Sequence, residues 1–270
     1  MQLKWLMRAA VVSSVALLAG CNTTSQGTSS TAVTGSAGGA TSAGASDTLE
    51  RCSETLGTLA VDDGSDSQWY YEWRQRTQIN SIEPMIRLVA QQSNCFIVTS
   101  LGNQRLERRM SSITDKQRNS GEFRAGSRQQ KGQRVAADYF LEPSVLFSSA
   151  NTGGIGGAVG GLIAGSVGAA IGGGLNTKST VVNLSLFGIR EGVQLAASEG
   201  SSTATDIGAA FGALGGGAGG VLGGYSRTPE GKATVAAFVD AYNKMVVALK
   251  NYKAQSVRGG SGTGGTLKVN

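Results

Sequence analysis

Residues 181–198, VVNLSLFGIREGVQLAAS, decide the fold. From Val181 to Ile189 apolar side chains alternate with others, the period of a strand that shows one face to a core. Arg190-Glu191-Gly192 interrupts the run, and Val193 to Ser198 continues it. Two strands this close in the chain pair across a short turn, so the stretch predicts a hairpin.

The other elements arrange themselves around this hairpin. Downstream, Pro229 opens a long helix whose buried face is Val235, Phe238, Val239, Tyr242, Val246 and Leu249. Proline is tolerated in a first helical turn, where its missing donor would have no intrahelical partner. Upstream, a strand runs through Tyr139, Leu141, Val145 and Phe147, and Pro143 within it points to a sheet edge or a bulge. Further back, Leu56 to Val61 reads as a first strand stopped by Asp62-Asp63-Gly64, and Cys95 to Thr99 as a second. Between these two, Trp69, Tyr70, Tyr71 and Trp73 fall in a loop. Ile82, Met85, Ile86, Val89 and Ala90 then recur at helical spacing behind Asn80 or Ser81 as a cap. Asn103 caps another helix, with Leu106, Met110 and Ile113 as one apolar stripe. A basic, glutamine-rich stretch follows to Arg134, and beyond Tyr252 a Gly/Ser/Thr tail, 254–270, reads as disordered. This order predicts an α/β domain over 47–253, a mixed sheet flanked by helices.

Two glycine-rich inserts, 151–177 and 203–225, break that domain. Their cores, Gly153 to Leu175 and Gly208 to Gly224, contain no charge. In the first, the large residues Ile155, Val159, Ile163, Val167, Ile171 and Leu175 all have odd numbers, with Leu162 the exception. Such alternation fits a membrane-facing hairpin of strands about 9–11 residues long. The same residues recur every four positions, which equally fits a helix with a small-residue seam. In the second, Ile207, Phe211, Leu214, Val221 and Tyr225 are spaced more like a helix. Solvated loops over the sheet are the alternative. Uninterrupted apolar side chains favour burial in lipid or between subunits.

The amino terminus has the layout of a secretory signal over residues 1–20. Lys4 and Arg8 precede an apolar run from Ala9 to Ala19 that is too short to span a bilayer, which needs about 20 apolar residues. Leu18-Ala19-Gly20-Cys21 resembles a lipobox, which implies cleavage before Cys21 and lipid on its thiol and freed amine. Three acyl chains hold a protein on a membrane where one binds only marginally. Asn22 follows where an aspartate would signal retention in the inner membrane, so the outer membrane is the expected destination. Residues 21–46 carry no charge after the cysteine and are almost all Ser, Thr, Gly and Ala. Such a segment is a flexible tether, with an end-to-end distance of about 25–30 Å.

Composition removes several function classes. The chain has no histidine, which excludes Ser-His-Asp and Cys-His catalysis and the commonest ligand of catalytic zinc. No paired carboxylates stand out as acid and base, so no catalytic, cofactor-binding or metal-ligating residue is assigned, and an enzyme is not expected. Cys52 and Cys95 each open a strand. They form either a disulfide in an oxidising compartment, closing a loop of about 44 residues worth around 4 kcal/mol, or two buried thiols. The net charge is +6, but export makes nucleic acid an improbable partner. Anionic lipid, lipopolysaccharide or an acidic polypeptide is the relevant counterpart.

Other signals are weak. Gly215-x-Gly217-x-x-Gly220 follows no strand, and Gly231-Lys232 lacks the rest of a phosphate loop. The Trp69–Trp73 cluster is a partner platform or a stack for sugars or, more simply, cover for a core edge or a subunit contact. The basic run from Arg105 to Arg134 is a solvated face or an attractor of acidic partners and lipid head groups.

Several local patterns in this order resemble the CsgG/HfaB family, outer-membrane lipoproteins of curli secretion and holdfast attachment. They are Leu59-Ala60-Val61-Asp62; Ser93-Asn94-Cys95-Phe96-Ile97-Val98, followed by the helix with Leu106 and Glu107; Gly132 to Val145, with the run from Ala136 to Val145; and Leu184 to Ser201 with Leu195-Ala196-Ala197-Ser198-Glu199-Gly200. The resemblance implies a periplasmic α/β domain that assembles into a homo-oligomeric ring. Each subunit would lend membrane hairpins to a shared barrel, through which amyloid-type or adhesin subunits are secreted. Both inserts fall where the family carries those hairpins, though they are richer in glycine and no counterpart of the pore-constriction loop stands out. The rival expectation is a periplasmic adaptor lipoprotein that binds peptidoglycan or a cell-wall synthase and makes no pore.

Overall fold

The computed structural model describes residues 34–37, 42, 47–124, 126–148, 179–203, 224–225, 227–252, 256–260 and 264–266. The signal, Cys21, the first glycine-rich insert and residues 204–223 of the second lie outside the described residues.

Five strands form the main sheet: β1 (Gly57–Val61), β2 (Phe96–Val98), β3 (Tyr139–Ser148), β4 (Ser179–Gly188) and β5 (Val193–Thr203). Their order is β2-β1-β3-β4-β5. The first three are mutually parallel, while β4 runs antiparallel to β3 and β5 to β4, so the sheet is mixed. The hairpin expected at 181–198 is β4–β5, and its register breaks once, between Leu186 and Phe187. Pro143 sits at an edge for a definable reason. The Leu141 carbonyl accepts from Asp62 N–H on the β1 side. Pro143, two residues on, faces the same side, where β1 has ended, so its missing donor deprives no partner.

Four α-helices accompany the sheet: α1 (Gln68–Thr77), α2 (Glu83–Gln92), α3 (Gln104–Thr114) and α4 (Pro229–Lys250). A π-helical turn, Asp115–Asn119, extends α3. The aromatic run expected in a loop is therefore helix α1. Neighbouring aromatic residues obscure its period, yet Trp69, Trp73 and Thr77 recur every four residues and turn one face inward. Trp73 is fully buried and donates from Nε1 to Thr234 Oγ1 of α4 at 3.3 Å. The cluster covers a core edge, with Tyr71 left outside. The cap of α2 also shifts. Ile82 holds the cap position, Ser81 Oγ accepts from Glu83 N–H, and the Asn80 carbonyl is taken by the Tyr70 hydroxyl.

The core lies between one sheet face and α1, α2 and α4. Leu59, Val61, Tyr139, Leu141, Val145, Val182, Leu184 and Leu186 meet Met85, Ile86, Val89, Phe238, Tyr242 and Val246 there. Phe96, Tyr139, Tyr242 and Phe238 form a chain of ring contacts across it. At β5 the helix comes closer than any side chain would allow. A Cβ on Gly200 would lie 2.1 Å from the Ala237 carbonyl oxygen and 2.4 Å from Ala241 N.

The opposite sheet face is less covered: Leu146 is 53% exposed, and Phe140, Val181 and Phe187 are partly so. Parallel crossovers are right-handed, and the β1–β2 and β2–β3 connections step in opposite directions along the sheet, which places α2 and α3 on opposite faces. No residue of α3 is buried. Past Tyr252, where a disordered tail was expected, Ser256–Gly260 and Gly264–Thr266 pair as an antiparallel ribbon, β6–β7. Composition missed it because backbone groups pair with one another whatever side chains they carry.

Candidate functional site

Two places on this domain carry functional geometry, and they lie at opposite ends. The first is a sheet edge. β3 ends at Ser148, β4 begins at Ser179 and β5 ends at Thr203, and these three residues pair in a row: Ser148 with Ser179, Ser179 with Thr203. The first insert therefore leaves and re-enters the sheet between adjacent strands, and the second leaves from the next strand at the same edge. β3 continues seven residues past Leu141, the last partner of β1, so this edge stands about 20 Å beyond the ends of the short strands.

The second insert returns at the same end. Gly200 faces Ala237 and Ala241, Ser201 N–H donates to Asp240 Oδ2, and Lys244 Nζ donates to the Glu199 carbonyl. Helix numbers rise as strand numbers fall, so α4 runs antiparallel to β5 and starts near the strand edge. Its start is well fixed. Thr228 Oγ1 caps it by accepting from Gly231 N–H at 3.0 Å. Tyr225 is buried and its hydroxyl donates to the Ser81 carbonyl at 2.6 Å; burial raises its pKa and keeps it neutral.

The other end holds a clamp on the segment that follows residue 46. Asn243 grips it from α4: its Oδ1 accepts from Glu50 N–H and its Nδ2 donates to the Thr48 carbonyl, each at 2.7 Å. Lys250 Nζ pairs with Glu50 at 2.5 Å and donates to the Arg51 carbonyl. Leu49 is buried. Cys52 is bonded to Cys95, with Cα atoms 4.9 Å apart, and Cys52 N–H donates to the Ser93 carbonyl at 2.9 Å. The pairing follows from topology: Cys95 immediately precedes β2, Cys52 leads into β1, and these strands are parallel neighbours with Gly57 opposite Phe96. Further out, the Thr34 carbonyl accepts from Gln92 Nε2, so part of the expected tether touches α2.

Of the residues singled out by sequence, Cys52 and Cys95 are brought together. Cys21, Ile155, Val159, Ile163, Val167, Ile171, Leu175, Phe211 and Leu214 lie outside the described residues. The Asn243–Lys250 clamp escaped sequence reading, because its contacts join residues about 200 positions apart that carry no motif. Among the described residues no group of His, Cys, Asp or Glu could hold a metal ion, and no helix is long and apolar enough to cross a membrane.

No curated protein matches the chain. A family described as "Curli production assembly/transport component CsgG" matches residues 87–265, about two thirds of the chain. The match begins within α2, takes in β2, α3, the long strands, both inserts, α4 and β6, ends within β7, and leaves out Cys52 and β1. With the mixed α/β sheet and its three-strand edge in view, the chain belongs to the CsgG family of curli assembly and transport components.

Proposed function

We propose that this protein is a lipid-anchored outer-membrane subunit of a curli-type export channel, working as a homo-oligomer that passes amyloid-type or adhesin subunits. The observation that supports this reading most is the common edge at Ser148, Ser179 and Thr203. Two glycine-rich arms with uncharged cores, Gly153 to Leu175 and Gly208 to Gly224, are rooted there side by side on strands already hydrogen-bonded to one another. A barrel closed between subunits would satisfy every backbone group in lipid, which an open sheet edge would not. In this arrangement Ile155, Val159, Ile163, Val167, Ile171 and Leu175 face lipid or a neighbour, and Phe211 and Leu214 do so from the second arm.

The anchor fits the same orientation. The Lys250 clamp lies nine helical residues below Ala241, and Thr203 three strand residues above Gly200, which separates clamp and edge by about 25 Å. A lipid on Cys21 therefore needs a leash as long as the domain is tall. The 12 residues from Asn22 to Val33, ahead of the Thr34–Gln92 contact, can extend to about 40 Å, which is enough for that height. The role is transport rather than catalysis, in keeping with the family.

Conductance of the purified protein in planar bilayers tests the reading. Discrete channels are the expected result. Silence under all conditions would favour a pore-free adaptor that uses the same anchor to hold a cell-wall enzyme or peptidoglycan.

A further inference from the structure

We propose that α3 and the segment after it, Gln104 to Arg134, form a docking surface for an acidic polypeptide that carries apolar side chains along one side. Residues 105–134 hold nine lysines and arginines against three acidic residues, a surplus of six that equals the formal net charge of the whole chain. The rest of the protein is balanced. All nine cations are exposed, and among the described residues no carboxylate pairs with any of them. Keeping this much like charge on one short segment destabilises the free protein by self-repulsion, which an acidic partner would relieve.

Charge is half of the surface. Leu106, Met110 and Ile113 line one side of α3, and Met110 and Ile113 are 44% and 46% exposed. Phe123, in the loop beyond, is 48% exposed. Arg105 and Arg109, one turn apart, lie along one border of the stripe. A purely ionic partner would leave these apolar groups in water. An amphipathic acidic segment would cover them and neutralise the arginines together, in the manner of a helix laid on a complementary face.

Position selects a polypeptide over lipid. Gly102, just ahead of α3, packs against the Val61 backbone, about 20 Å short of the strand edge. Val98 at the end of β2 and Tyr139 at the start of β3 both pair with Leu59, so the crossover that carries α3 begins and ends at a level more than about 20 Å short of that edge. This step rests on the proposed orientation, in which the edge faces the membrane. A second copy of the chain is a poor occupant because it repeats the same surplus and is otherwise neutral.

The lipidated full chain in non-ionic detergent would be titrated with two labelled probes, polyglutamate and a helical glutamate peptide of equal charge bearing leucines on one face. The leucine peptide is expected to bind about tenfold more tightly. R105E/R109E should weaken both probes by about tenfold or more, and M110S/I113S should erase only the difference between them. Equal binding of the two probes, or binding insensitive to R105E/R109E, would overturn the proposal. So would hydrogen-exchange protection of Gln104–Thr114 without peptide, whether from phosphatidylethanolamine–phosphatidylglycerol vesicles or from self-association. R105E/R109E should leave bilayer conductance intact, so loss of docking and loss of the channel are separately visible.

Discussion

Helices α4 and α3 make opposite use of apolar residues. α4 buries thirteen of its twenty-two residues and packs so closely on β5 that only glycine fits at position 200. α3 has a cleaner division into apolar and polar sides, yet buries none. Periodicity establishes which residues share a face of a helix. What covers that face is decided elsewhere in the chain, or in another chain. The contrast separates a helix that holds the fold together from one that the fold merely carries.

Phe238→Ala should give the largest effect. The ring is fully buried, stacked on Tyr242 with centroids 5.9 Å apart, and its removal leaves a cavity under the sheet. A loss of about 3–5 kcal/mol is expected from denaturant unfolding. A loss below about 1 kcal/mol would mean that α4 is not the centre of the core.

Reducing the Cys52–Cys95 bond, or replacing Cys95 by serine, should cost about 2–4 kcal/mol, because the bond closes a loop holding β1, α1 and α2. Unfolding curves with and without reductant measure it. An unchanged midpoint would show that the Asn243 and Lys250 contacts suffice to hold this segment against α4.

Tyr242→Phe separates burial from hydrogen bonding within α4. Its hydroxyl, fully buried, meets Ser93 Oγ at 2.7 Å, and Ser93 retains a second bond to the Ala90 carbonyl. A loss of about 1 kcal/mol near neutrality is expected. The sign reverses in alkali. Desolvation raises the phenol's pKa in the folded state above its ordinary value of 10.0. The stability tied to a neutral Tyr242 is complete below that ordinary value and drains as pH rises toward the folded one, by about 1.4 kcal/mol per pH unit. Phenylalanine has no proton to lose, so above pH 10 the variant should overtake the wild type in unfolding scans; parallel pH profiles would refute the burial argument.

How much of this was legible in the sequence follows the same division. The β4–β5 hairpin was readable because both strands and the turn lie within residues 179–203, and α4 because its apolar positions keep one period over six turns. Helix α1 was not, since four aromatic residues in five positions mask the four-residue spacing of Trp69, Trp73 and Thr77. The cysteine pair was visible as two alternatives, and only the parallel pairing of β1 with β2 chose between them. The stripe of α3 was visible too, but not its exposure. Burial is a property of what the helix meets, and α3 meets little in a single chain. The inserts were legible as glycine-rich segments with uncharged cores, and the adjacency of Ser148, Ser179 and Thr203 shows only where they are rooted.

The smallest expected effect is the most informative about α3. Met110→Ser combined with Ile113→Ser removes two apolar side chains from the stripe. In a covered helix that pair would cost several kcal/mol, as in α4, because each truncation forfeits buried area and leaves a void. Both side chains are close to half exposed, and neither belongs to the core. Little area returns to water, and the change should stay within about 0.5 kcal/mol, measured as a shift of the denaturation midpoint at an unaltered slope. A loss of about 2 kcal/mol or more would show the stripe to be covered in the isolated chain, erasing the difference between the two helices. Near-neutral stability with altered binding of an acidic partner would place the value of those two residues outside the fold, where their exposure already puts them.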